Sequence, residues 1–152
     1  MTSPLRLDDY LPYRLSVASN EVSRLIARAY EDRFGLTIPQ WRVICILAED
    51  GPSTPQAIVA RTATDKVIVS RAAQALTIRR LVQRKPNEAD GRSHHLELTD
   101  TGRALHAEVT PLALRYEAEV ISGLSETEVN GLKQLLSRIE STATRLAGDS
   151  FK

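Results

Sequence analysis

Between Gly35 and Thr99 the sequence changes element roughly every dozen residues, and this punctuation constrains the fold more than any other feature. Thr37 caps a helix, with Gln40 three residues later completing a capping box and Leu36 and Trp41 placed as a hydrophobic staple. The apolar face of that helix reads Trp41, Ile44, Cys45 and Ala48, and Gly51-Pro52 ends it. A short helix starts at Thr54, with Pro55 in the first helical position where a missing N–H is tolerated, and runs through Ile58 to about Arg61. After Thr62-Ala63, either Thr64 or Asp65 caps another helix, whose inner face is Val69, Ala72 or Ala73, Leu76 and the stem of Arg80. It closes near Leu81. Val82 to Lys85 and His94 to Leu98 then read as two short strands around the turn-rich segment Pro86 to Arg92.

Long amphipathic segments flank this middle part. From Tyr10 to about Phe34 apolar residues recur at Leu11, Leu15, Ala18, Val22, Leu25, Ile26 and Ala29, which predicts one long helix stopped by Gly35. Thr99 caps a fifth helix carrying Leu105, Val109, Leu112, Tyr116 and Val120, bent by Pro111. Ser125 and Glu128 form a second capping box, and Val129, Leu132, Leu135, Leu136, Ile139, Ala143 and Leu146 give the last helix a strong apolar stripe. A short helix, a tight turn, a second helix and then a hairpin is the order of a winged helix-turn-helix, in a fold that is mainly α with a small β-wing. The flanking stripes exceed what so small a unit can cover, so pairing with a second copy of the chain is the simplest way to bury them. The expected organisation is one domain over residues 1–152, with dimerisation helices at about 7–34 and 100–147 and the winged unit at about 37–99.

Charge sharpens this reading. The whole chain carries 20 Lys and Arg against 19 Asp and Glu, a balance that by itself argues against a polyanion partner. The arrangement argues otherwise. Residues 61–92 hold eight cations (Arg61, Lys66, Arg71, Arg79, Arg80, Arg84, Lys85, Arg92) against three anions, a surplus of five, whereas both flanks are net acidic.

Other classes find little to rest on. A single Cys permits no intrachain disulfide, which sets a reducing cytosol as the expected compartment. The start of the chain lacks a basic stretch leading into an apolar run, and no apolar stretch approaches the ~20 residues of a membrane span. His94 and His95 are adjacent on a strand and so face opposite ways, a poor geometry for one metal. Neither a phosphate-cradling glycine loop nor a nucleophile elbow is present, so neither catalytic residues nor a cofactor are expected.

The segment Thr64-Asp65-Lys66-Val67-Ile68-Val69-Ser70-Arg71, then Leu76, Leu81-Val82 and Arg84, then Asp90-Gly91-Arg92-Ser93 and Leu96-Glu97-Leu98-Thr99-Asp100-Thr101-Gly102, resembles the MarR family of bacterial winged-helix regulators. The likeness runs from about Leu7 to Leu146, and its most specific part is the wing with the Leu-x-Leu-Thr-x-x-Gly ending. It implies a homodimer on a pseudo-palindromic duplex operator, usually a repressor released by a small ligand. Two departures stand out. Arg80 occupies a place where the family often has glycine, and the wing has Gly91 before Arg92 where the family commonly has two basic residues, which predicts weaker anchoring in the minor groove.

Within this reading, Lys66, Ser70 and Arg71 point toward a major groove, with Arg71 suited to the O6 and N7 of guanine. Lys66 and Thr64 suit phosphates, Arg84 adds a cation at the base of the wing, and Arg92, its geometry supported by Asp90, would enter a minor groove. The resemblance places an effector site among the first, second and fifth helices, where Tyr13, Arg14, Asn20, Arg24, Arg28, Trp41, Arg42 and His106 are the polar or aromatic candidates. The runs Leu11 to Ser16 and Ile38 to Val43 look like the subgroup responding to hydroxycinnamates or their CoA thioesters. An aromatic acid would need an apolar slot such as Trp41 offers and a cation such as Arg14 or Arg42. Each of these residues also has an ordinary role, as helix staple or surface ion pair. Two other readings stay open, an oxidant sensor acting through Cys45 and a ligand-independent accessory DNA binder; Cys45 itself reads as a buried structural thiol, having no cation beside it in the sequence.

Overall fold

The computed structural model describes residues 3–86, 88, 89, 91 and 94–149, so the expected wing residues Asp90 and Arg92 lie outside the described residues. A 3₁₀ turn at Leu7–Asp9 leads into α1 (Leu11–Ala27) and α2 (Glu31–Phe34), followed by α3 (Ile38–Asp50), α4 (Pro55–Thr62) and α5 (Lys66–Ile78). Strands β1 (Val82–Pro86) and β2 (His94–Leu98) then precede α6 (Asp100–Val120) and α7 (Glu126–Gly148). The chain divides into two compact units, residues 1–116 and 117–152, with α6 running across the boundary.

The first unit is built around α3. Thr37 and Gln40 close their capping box in both directions, and the staple residues Leu36 and Trp41 both enter the core. α3 packs against α4, α5 and β2, so burial extends to Val43, Ile46 and Leu47 as well as Ile44. Ala48, expected on its inner face, is exposed, because with neighbours on several sides the helix buries more than one stripe and the register of burial shifts. The core also takes Ile58 from α4, Val69, Ala72 and Leu76 from α5, Leu96 and Leu98 from β2, and Leu105 and Val109 from α6.

The single long first helix is corrected. The chain leaves the α-helical path after Ala27 and closes a tight turn through N–H bonds from Ala29 to the Ile26 carbonyl (2.9 Å) and from Tyr30 to the Ala27 carbonyl (3.0 Å). Ala27, Ala29 and Tyr30 are all buried, whereas on a continuous helix Ala29 would stand about 200° from Ala27 and about 100° from Tyr30, off the face those two share. The turn brings all three into the core.

β1 and β2 form an antiparallel pair from Val82 opposite Leu98 to Pro86 opposite His94. Ser53, in the α3–α4 connection, adds a one-residue bridge to Leu96, with N–H bonds exchanged at 3.0 and 2.8 Å. At the other end of the hairpin, Thr99 caps α6 by accepting from the Gly102 N–H at 3.0 Å. α6 continues as helix through Pro111, and Val120, expected on its inner face, is exposed.

In the second unit the Ser125–Glu128 capping box forms as expected, and the carboxylate of Glu128 is held below the usual range by accepting from Ser125. The α7 stripe lies open: Leu132, Leu135, Ile139 and Leu146 are exposed in the single chain.

Candidate nucleic-acid interface

The turn between α4 and α5 is organised by short polar side chains. Asp65 is the N-cap of α5, its carboxylate accepting from the Val67 N–H at 2.8 Å. Ahead of it Ala63 adopts a left-handed conformation, φ 49°, and the Thr62 hydroxyl accepts from the Thr64 N–H at 3.2 Å. Thr64 donates its own hydroxyl to the Thr62 carbonyl, also at 3.2 Å, so in this conformation the residue closes the turn rather than offering a proton to a phosphate.

α5 buries Val69, Ala72 and Leu76. At ~100° per residue, Val67, Arg71, Gln74 and Ile78 fall within an arc of about 60° on the opposite side, with Ser70 beside them. All five are exposed, as is Lys66. The sequence reading singled out Lys66, Ser70 and Arg71 but not Val67 or Gln74. The signal was there, since both lie at helical spacing from Arg71.

The eight cations of the central segment do not act as one set. Arg61 turns back to α3, with contacts of 2.9 Å to Glu49 and 3.8 Å to Asp50, and its pKa is raised, first through the hydrogen bond to Glu49. Arg79, the C-cap of α5, donates to the carbonyls of Phe34 (2.7 Å) and Gly35 (3.2 Å), tying the end of α5 to the α2–α3 turn. Among the described residues no carboxylate is within salt-bridge distance of Lys66, Arg71, Arg80, Arg84 or Lys85, and all five are exposed. Arg84 sits across the hairpin from Leu96, and the neighbouring pair Gln83–Glu97 is hydrogen-bonded at 2.7 Å.

Arg80 does not contribute a stem to the core. It is exposed and stands at φ 59°, taking the place glycine usually fills after a helix. The Arg80 N–H donates to the Thr77 carbonyl and the Leu81 N–H to the Leu76 carbonyl, both at 3.0 Å, the bond pattern of a Schellman closure.

The effector candidates separate into two groups. Trp41 is buried in a column of rings, stacked on Tyr30 at 5.4 Å and on His106 at 5.5 Å, and His106 lies 3.4 Å from the Thr110 hydroxyl. Arg42 is exposed, and its guanidinium donates to the Ser23 hydroxyl of α1 at 3.5 Å. Tyr13 and Asn20 are exposed on α1, and Arg14 donates to the Asp8 carbonyl at 3.1 Å. Arg24 pairs with Glu21, and Arg28 is exposed. The ring contacts and hydrogen bonds among the described residues bring Trp41 and His106 together and join neither to Tyr13, Arg14 or Asn20. Tyr30, which the sequence reading passed over, completes the column; burial pushes its phenol up to about 12. Cys45 is partly buried with its thiol also pushed up to about 12, by burial and then by Glu49.

A capped helix pair with a tight turn, an exposed cationic second helix and a following hairpin define a winged helix-turn-helix domain of the DNA-binding class. The profile described as "MarR family" matches residues 34–93, the part of the chain that contains this unit. The regulator MgrA of Staphylococcus aureus is 27% identical over 139 residues, covering 91% of this chain and 93% of that protein. A solved structure described as a "probable transcriptional regulator from Pseudomonas aeruginosa" is 30% identical with a TM-score of 0.76, covering 88% of this chain and 99% of that one. The structure of BpsR from Bordetella bronchiseptica, described as showing regulation of its DNA binding by 6-hydroxynicotinic acid, is 26% identical with a TM-score of 0.82, covering 91% and 98% of the two chains. The chain belongs to the MarR family of DNA-binding transcriptional regulators.

Proposed function

We propose that this regulator is a homodimeric repressor that binds a pseudo-palindromic operator and is released from it by a small aromatic carboxylate. The observation that carries the reading is the outward face of α5, where Arg71 stands opposite the core with no carboxylate of the described residues within salt-bridge distance. Arg71 is assigned to guanine in the major groove, Ser70 to an adjacent base edge, and Lys66 and Arg84 to phosphates. Arg92 is assigned to the minor groove, with Asp90 in a supporting role. The exposed apolar positions of α1 (Leu11, Val17, Val22) and of α7 (Leu132, Leu135, Ile139) are the surfaces a second copy would cover.

For the effector, Trp41 and His106 supply a flat aromatic edge and Arg42 a cation on the same side of α3 as α1. The reported response of BpsR to an aromatic carboxylate supports that ligand class, and hydroxycinnamates and their CoA thioesters extend it. Release requires only that the ligand bind a dimer geometry whose recognition helices no longer match successive major grooves more tightly than it binds the DNA-competent one.

The test begins with selection of duplexes from a random pool by the purified chain, followed by footprinting. Enrichment of an inverted repeat with half-sites about one helical turn apart is the expected result. Enrichment of unrelated sequences, with affinity independent of sequence, would instead indicate an accessory DNA binder. A thermal-shift series with hydroxynicotinates, hydroxybenzoates, hydroxycinnamates and their CoA thioesters, repeated with the selected duplex, then tests the effector. A compound that stabilises the protein but leaves the DNA complex intact would overturn the release mechanism.

A further inference from the structure

The two apolar residues at the start of α5 are unusual in their setting. Val67 is 54% and Ile68 44% exposed, on a helix whose other apolar residues in that half are buried. Val67 shares the outward stripe with Arg71, one turn further on. Lys66 precedes it and Ser70 flanks it, both exposed, so water-facing neighbours surround a branched hydrocarbon that gains nothing from water. Its backbone is fixed, because the Val67 N–H is the one the Asp65 carboxylate accepts at 2.8 Å. The side chain therefore leaves a rigid first turn in a set direction.

We infer that Val67 is a specificity-determining residue of this protein, packing on the C5-methyl group of a thymine in each operator half-site. The inference rests on the DNA-binding reading above and deepens it. In the major groove the thymine methyl is the base feature suited to an apolar side chain, and it adds to the hydrogen-bond pattern that distinguishes T·A from the other pairs. Positive charge on both sides of Val67 brings the duplex to this surface rather than a protein partner or a lipid. Four residues of helix rise about 6 Å and one base step about 3.4 Å, so the thymine lies within about two base pairs of the guanine assigned to Arg71. Ile78, on the same stripe, is about 16 Å further along and outside this contact.

The experiment replaces each thymine of the selected duplex in turn by deoxyuridine, which removes only the methyl group, and measures affinity by fluorescence anisotropy. For the wild-type chain, one position per half-site is expected to lose about fourfold, the effect of one buried methyl-sized group, and about sixteenfold when both half-sites are changed. Val67→Ala is expected to bind the thymine duplex correspondingly less tightly and to lose discrimination between thymine and uracil at that position only. Val67→Thr, which keeps one methyl, should retain part of it. Because Val67 is exposed, both variants should melt with the wild type. A flat uracil scan with a duplex that still binds tightly overturns the inference and leaves the DNA-binding reading intact. Uracil sensitivity that survives in Val67→Ala overturns the assignment to Val67. Failure of the wild-type chain to enrich any duplex removes both.

Discussion

The hydroxyl of Thr99 donates to the carbonyl of Arg80 at 2.7 Å, fastening the start of α6 to the residue that closes α5. Arg80 is held there at φ 59°, a conformation that costs an L residue roughly 1–2 kcal/mol. Arg80→Gly removes that strain and adds about 0.5–1 kcal/mol of chain entropy to the unfolded state. The net expectation is a gain of about 0.5–1 kcal/mol, read from urea unfolding at fixed protein concentration. A loss instead would mean that the arginine side chain stabilises the fold in a way its backbone bonds do not reveal.

Thr99 has a second task as the cap of α6, so Thr99→Val, which keeps the shape and removes the hydroxyl, gives up two hydrogen bonds. A cost of about 1–2 kcal/mol is expected. Gly102→Ala should be worse, above about 2 kcal/mol, because a Cβ there overlaps the Leu81 carbonyl oxygen, which is itself pinned by the Thr99 N–H at 3.0 Å. Thermal melts of the two variants side by side check the order; equal melting points would contradict the close approach.

Alkaline pH should destabilise the protein through Cys45 and Tyr30. The Cys45 thiol rises from 9.0 to about 12 and the Tyr30 phenol from 10.0 to about 12, burial being the first cause of both. A raised pKa in the folded state means that the associated stability is complete below pH 9 and is lost as pH climbs from there toward 12. Cys45→Ala should flatten the decline in melting temperature above pH 9. The same raised pKa predicts that iodoacetamide at pH 7.5 labels Cys45 far more slowly in the native than in the urea-unfolded protein, and that dilute peroxide leaves DNA affinity unchanged. Rapid native labelling would revive the oxidant-sensing reading.

The division of the central cations gives a prediction about salt. Arg84→Ala, Lys66→Ala and Arg92→Ala should each lower affinity on every duplex and reduce the salt slope by about one per subunit. Arg61→Ala should leave the slope unchanged, since its guanidinium is engaged with Glu49 and Asp50. Arg71→Ala should relax one base preference per half-site by about 1–3 kcal/mol. An unaltered slope for Arg92→Ala would remove the wing from the contact set.

For the α7 stripe, Leu135→Glu with Ile139→Glu places two charges on the open apolar face. Sedimentation is expected to report dimers for the wild type and monomers for this variant, with operator affinity falling in step. Dimers that persist would locate the self-association elsewhere.

The elements most legible in the sequence were those specified by neighbours in the chain. The boxes Thr37–Gln40 and Ser125–Glu128 and the Thr54-Pro55 start need only a few residues, and each formed where the pattern put it. The turn after Ala27 was illegible because apolar spacing continues through it, while the burial of Tyr30 against Trp41, eleven residues on, is a contact that the local pattern does not carry. Long-range commitments were equally hidden. Nothing local marks Arg79 as bound to backbone 45 residues away, nor Ser53 as the partner of Leu96. Charge counting therefore overstated the cationic face by at least two residues, Arg61 and Arg79. Val67 was passed over for a different reason: only polar and charged residues of α5 were weighed as groove-facing, and Val67 was given no role.

Trp41 is the sole tryptophan of the chain, and its indole lies between the rings of Tyr30 and His106. The molecule thus carries an intrinsic optical probe at the seam between α3 and α6, needing no label and contaminated by no second indole. Emission from that one ring, followed through a titration with duplex or with an aromatic acid, records the seam loosening or tightening in real time.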